Sequence, residues 1–275
     1  MEKLDRQVWA VGVSFRAYGL RIGIRANSDL ALLSLVKKLV PVRKWSDVPT
    51  VDMLYSVIAG DQDQGKRFRR YSVAYANSTE LARSADFQGV LDAVENHLSL
   101  YLAEFAKSRV FIHAGVVGWN GKAVVMPGRS YSGKSTLVTA LLRAGATYYS
   151  DEFAAVDRFG RVYPYPRPIQ LRNGDGSTHR IQPADVPAKV GRKGLPVELI
   201  LLTHHQKGVV WRPREVSPAE GLLTLLTNTV SAQRNPARAL RTLKTMMIPA
   251  RRLKGPRGEA DATVARLLRS GQLPA

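Results

Sequence analysis

The sequence predicts a mixed α/β (α+β) fold: a small α/β domain, then an α/β core built around a glycine-rich strand-to-helix loop, and a helical C-terminal part. Three observations carry the prediction. Short segments of alternating apolar residues are interleaved with segments of helical period. One strand-to-helix junction carries Gly128-Arg129-Ser130-Tyr131-Ser132-Gly133-Lys134-Ser135, a match to the Walker A pattern G-x-x-x-x-G-K-[ST]. In the last quarter, leucines interspersed among Lys and Arg suggest helix faces.

Taking the elements in order, Val8 to Phe15 and Tyr18 to Ala26 read as two paired strands about a break at Gly19. A helix follows, capped by Asn27 or Ser28 and stopped by Pro41, with Leu30, Leu33, Val36 and Val40 on its apolar face. Val51 to Ala59 and Phe68 to Ala76 are strands separated by the polar loop GDQDQGKR, and Asn77 to Ser84 is a connection. The domain boundary is expected near Ala85, giving domains 1–85 and 86–275. Phe87 to Phe105 has helical spacing. Phe111 to Gly118 and Lys122 to Met126 are strands about Asn120-Gly121, a strong hairpin dipeptide. The Gly-rich loop leads into a helix from Ser135 to Ala144 that ends at Gly145. Thr147 to Val156 and Val162 to Tyr165 form a strand pair about Asp157-Arg158-Phe159-Gly160, where Asp157 is a turn residue. Val197 to Thr203 is a short strand, and Ser217-Pro218-Ala219-Glu220 is a capping box opening a helical C-terminal quarter.

Composition bounds the chemistry. With 275 residues, 45% of them hydrophobic and 23% charged, the chain can bury a substantial core in one or two domains. There is no run of about 18 apolar residues to span a bilayer. The opening MEKLDRQVWAVGV lacks a signal-peptide layout, so a cytoplasmic location is expected. The absence of cysteine excludes disulfides and thiolate chemistry. The formal charge of +19 favours polyanionic partners. Much of the surplus lies in Arg234, Arg238, Arg241, Lys244, Arg251, Arg252, Lys254, Arg257, Arg266 and Arg269. Nucleic acid stays open as a partner, without base-reading motifs or interleaved aromatics to favour it, and a homo-oligomer stays open as well.

The loop from Gly128 to Thr136 lies where phosphate binding requires it, between AVVMP and TLVTALL. Its glycines let backbone N–H groups turn inward, the helix N-terminus adds positive partial charge, and Lys134 neutralises the β and γ phosphates of a nucleoside triphosphate. Ser135 would hold magnesium. Asp151 and Glu152, at a strand end soon after, are candidates to hold the metal or take a proton. His113 lies on the strand before the loop's own strand, either as a core residue or beside the γ phosphate. Adjacent His204 and His205 point to opposite faces and read as structural or surface residues. The proline-rich run from Tyr163 to Arg172 would hold Arg167 and Arg172 in an extended segment, either solvated or turned toward anionic oxygens.

His113-Ala-Gly-Val-Val, the turn and strand, the loop with Gly-Lys-Ser-Thr, and Ser150-Asp151-Glu152 together resemble the catalytic core of HPr kinase/phosphorylase-related serine kinases. The resemblance runs from about Phe111 to Arg172, and that family shares its core with ATP-dependent phosphoenolpyruvate carboxykinase. It implies a P-loop core distinct from the parallel-sheet Walker NTPases, and an ATP- and Mg2+-dependent transfer to a serine-like hydroxyl of a peptide, protein or small molecule. By position it implies Lys134 as the phosphate-binding lysine and Ser135 as a magnesium ligand. Asp151 would accept the substrate proton, Glu152 assist the metal, and His113 lie near the transferred phosphate. The sequence departs from the family pattern in having Glu152 for a second aspartate and Tyr131 for a glycine. Only a faint match to the family's glycine-rich segment remains at Leu171 to Gly174, so neither HPr as acceptor nor phosphorylase action is expected. Two other readings fit the loop: a non-catalytic ATP-binding regulatory module, and a basic nucleic-acid-associated ATPase.

Overall fold

The structure is a computed structural model that describes residues 8–39, 44–46, 50–60, 71–128, 132–172, 177–182, 185 and 188–275. Arg129, Ser130 and Tyr131 of the predicted phosphate loop lie outside the described residues, as do Pro41, the loop at 61–70 and most of the faint glycine-rich segment. The fold is mixed α/β, with six helices among the described residues. None is long and apolar enough to cross a membrane.

The chain divides into two compact units, Met1–Lys107 and Ser108–Ala275. In the first, β1 (Val11–Ala17), β2 (Leu20–Ala26), β3 (Lys44–Trp45), β4 (Met53–Ile58), β5 (Ser72–Ala76) and β6 (Thr79–Ser84) form a sheet in the order β3-β1-β2-β4-β5-β6. Helices α1 (Asp29–Lys38) and α2 (Phe87–Phe105) share one hydrophobic core with it. Ser28 caps α1 by accepting from the Ala31 N–H, and the Asp86 carboxylate caps α2 by accepting from Gln88 and Gly89. The expected boundary near Ala85 falls too early. Val90, Leu91, Val94, Leu98 and Leu102 bury the apolar stripe of α2 against Ile22, Tyr55, Val57 and Ala74, so the helix belongs to the first unit. The segment read as a connection after Asn77 is strand β6, paired antiparallel with β5.

The second unit is built on a sheet of eight strands, which alternate their side chains between two cores. It contains β7 (Val110–Trp119), β8 (Lys122–Pro127), β9 (Thr147–Ser150), β10 (Phe153–Val156) and β11 (Arg161–Tyr163). A separate hairpin, β12 (Ile169–Arg172) with β13 (Thr178–Ile181), precedes β14 (Leu195–His205), β15 (Arg214–Glu215) and β16 (Arg251–Arg257). The main order is β11-β10-β7-β8-β14-β16-β15, with β9 beside β7. On one face α3 (Lys134–Arg143) and α6 (Ala260–Arg269) pack Leu137, Val138, Leu141, Val264 and Leu267 over Val124, Leu199, Leu201 and Leu253. On the other, α4 (Pro218–Thr227) and α5 (Pro236–Met247) place Leu225, Leu243, Met246 and Met247 over Val125, Ile200 and Leu202. Helices on both faces of a sheet bury both of its apolar surfaces.

Thr147 to Val156, read as one strand, is two. Ser150 Oγ accepts from the N–H groups of Glu152 and Phe153, at 3.2 and 3.0 Å, and this turn puts Asp151 and Glu152 at its tip. The C-terminal quarter is mostly helical as expected, but Arg251 to Arg257 is a strand, parallel to β14. The expected turn at Asp157 is present: its Oδ1 accepts from the N–H groups of Phe159 and Arg161.

Candidate active site

Strands β8, β14 and β16 run parallel, and the C-terminal ends of β14 and β16 lie side by side at His205 and Arg257. Ligands of α/β proteins bind outside the carboxyl ends of such strands. After β8 the chain turns into α3, whose N-cap is Gly133. Gly133 has φ +83, the left-handed region that glycine adopts without steric cost. Its carbonyl accepts from the Leu137 N–H at 3.2 Å, so the following peptide N–H groups face back out of the helix end. Anions are favoured there by the unsatisfied N–H groups and the helix dipole.

Two predicted residues meet at this end. Ser135 Oγ donates to Asp151 Oδ2 at 2.7 Å. Asp151 Oδ1 is sealed from solvent with no hydrogen-bond partner among the described residues. Burial pushes the Asp151 carboxyl up to about 7, and the Ser135 hydroxyl and the charge of Lys134 pull against it. Lys134 is itself held below the usual lysine range by burial, while Asp151 and Glu152 draw it back up. A carboxylate and an ammonium thus share one desolvated corner, and each favours the other's charged form.

His113 lies on β7 directly across from Phe153, with ring centroids 4.7 Å apart. Its carbonyl accepts from the Gly128 N–H at 3.1 Å, tying the loop's first glycine to β7. Burial, with the nearby Lys134 charge, holds the imidazole below its ordinary range, which favours its neutral form. Glu152 forms an ion pair with Arg167, whose side chain is 5% exposed. Arg167 therefore reaches the acidic pair, as one reading of the proline-rich segment expected. The side chain of Arg172 lies outside the described residues, and His204 and His205 are exposed.

Sequence reasoning missed Arg257 and Thr203. Both line a narrow crevice beside the loop together with Ser132, Gly133, Lys134 and Leu137. Arg257, counted above with the basic surface, is 1% exposed. Its Nη2 donates to the Gly133 carbonyl at 2.6 Å and its Nη1 to the Gly258 carbonyl at 2.9 Å. Leu253, buried two steps of strand period before it, was the signal available in the sequence. Ser132 Oγ, Thr203 Oγ1 and Arg257 Nε are buried without hydrogen-bond partners among the described residues.

No protein family and no curated protein matches the chain in sequence comparison.

Proposed function

We propose that this chain is an ATP- and magnesium-dependent, HPr kinase-like kinase that transfers the γ-phosphate to a serine-like hydroxyl of a peptide, protein or small molecule. The observation that carries the reading is the 2.7 Å hydrogen bond from Ser135 to Asp151 at the N-terminus of the helix that Lys134 begins. The residues fit the groups required. Magnesium is held by one or two protein oxygens together with waters and phosphates, which suits the Ser135 hydroxyl with the Glu152 carboxylate at the same strand turn, and leaves Asp151 Oδ1 to take a proton. Phosphate oxygens are acceptors, which suits the buried donors of Ser132, Thr203 and Arg257. When bound, magnesium ATP would supply the γ-phosphoryl group and a metal charge that offsets its β and γ oxygens.

Lys134 would place its positive charge against those oxygens. Asp151, with Oδ2 held by Ser135, would accept the acceptor's hydroxyl proton as the new O–P bond forms and the bond to the leaving ADP breaks. A carboxyl raised to about 7 is well matched to proton transfer near neutrality. Neutral His113 would line the same corner, and Glu152 would assist the metal while anchored by Arg167.

Purified full-length protein with magnesium ATP and a panel of serine peptides, proteins and small alcohols should give a phosphorylated product. Asp151→Asn should reduce transfer by about a hundredfold or more while ATP binding persists. Transfer that survives in this variant would overturn the assignment of the base. ATP binding without transfer to any acceptor would favour the regulatory-module reading instead.

A further inference from the structure

We propose that Arg257 is a positioning residue of the phosphate loop: it pins the Gly133–Lys134 peptide so that the Lys134 N–H faces a bound polyphosphate, and it adds a buried cation behind that N–H. The inference rests on reading 128–136 as a phosphate loop.

Four observations converge on it. In a trans peptide the C=O and the following N–H point in opposite directions, so fixing the Gly133 oxygen fixes the aim of the Lys134 N–H. That oxygen has two donors, Leu137 N–H from inside the helix and Arg257 Nη2 from β16. Gly133 cannot be other than glycine without penalty: besides its positive φ, a Cβ there would collide with Arg257 Nη2. Finally, Arg257 is almost fully buried, yet it forms no ion pair among the described residues. The charge of Glu259, an exposed residue that pairs with His205 at 3.7 Å, acts on it without an ion pair.

A buried cation with no carboxylate partner is costly, and more so beside the positive end of a helix and next to Lys134. A polyphosphate at the loop removes that cost, because it brings negative charge to the point where Arg257, Lys134 and the α3 N-terminus converge. The guanidinium then does more than brace the fold. In the free protein its charge is offset, among the described residues, only by exposed Glu259, whereas in the bound one a polyphosphate faces it.

The test measures binding of sodium tripolyphosphate and of magnesium ATP to the full chain by calorimetry, with thermal unfolding of each ligand-free variant in parallel. Arg257→Met replaces the cation with an apolar chain of similar reach, and Arg257→Lys keeps the charge while losing the fork. Arg257→Met is expected to weaken tripolyphosphate binding by about tenfold to a hundredfold in protein that is folded at the assay temperature. Arg257→Lys is expected to fall between it and the parent. An unchanged dissociation constant in folded Arg257→Met, with only its melting temperature lowered, would make the residue merely structural and overturn the proposal. If Arg257→Met does not fold, Arg257→Lys decides, and unaltered affinity in it has the same consequence. A folded parent that binds neither ligand would instead overturn the phosphate-loop reading, and this proposal with it.

Discussion

Gly133 and Gly145 stand at opposite ends of α3, both with positive φ, but their surroundings differ. A Cβ at Gly145 meets nothing within 4 Å, whereas one at Gly133 meets the Arg257 guanidinium. Gly145→Ala should therefore cost only the left-handed backbone penalty, about 1–2 kcal/mol, and leave nucleotide affinity intact. Gly133→Ala adds a collision to the same penalty and is expected to abolish binding, as read by urea unfolding and calorimetry on both variants. That Lys134, Ser135 and Asp151 share one corner was legible in the sequence because they lie in one short strand–loop–helix–strand stretch whose chemistry is local. Arg257 and Thr203 were not. They join the site only through the pairing of β14 with β8 and β16, and the strand period that sets Arg257 on the face of Leu253 does not announce that pairing.

The elements were legible where a cap or turn residue fixed them. Ser28, Asn120-Gly121 and Ser217 act as their residue types predict, the last accepting from the Glu220 N–H at 3.2 Å. Asp86→Ala, which removes the cap of α2, should lower stability by about 1 kcal/mol in urea unfolding. Where the reading failed, a side chain or a neighbouring strand overrode the pattern: Ser150 breaks the ten-residue segment 147–156 into β9 and β10, and pairing with β5 turns the weakly patterned 79–84 into a strand. Asp52, just before β4, shows the same dependence on tertiary partners. Hydrogen bonds from the Arg21 backbone and side chain, with the charge of Lys107, hold its carboxyl below the usual aspartate range. Because the folded-state value is the lower one, Asp52 contributes stability that is complete above the ordinary aspartate range. That contribution disappears as pH falls through that range toward the depressed folded value. Asp52→Asn should accordingly make unfolding less sensitive to acid below about pH 4, as measured by denaturant midpoints from pH 7 downward.

At the scale of the molecule, the two units have separate hydrophobic cores, one shared by the first sheet and its helices and two flanking the second sheet. Leu35 is 0% exposed in the first core. Leu35→Ala should destabilise that unit by about 2–5 kcal/mol. On the proposed kinase reading, magnesium ATP should raise the transition of the second unit alone, since a ligand stabilises only the structure that binds it. Calorimetric scans of parent and variant, with and without ATP, separate the two effects. The mixed α/β class was legible from alternation and period, whereas the boundary was not, because an amphipathic helix such as α2 does not declare which sheet it will cover. The contact between Gly133 and Arg257 spans 124 positions of sequence. Closing so long a stretch carries an entropic penalty that the contact recovers only once the intervening strands and helices have docked. Nucleotide capture is thus expected to appear in the last phase of refolding, after β16 has entered the sheet, so that a chain lacking its final strand would hold a complete Walker sequence and no working grip on phosphate.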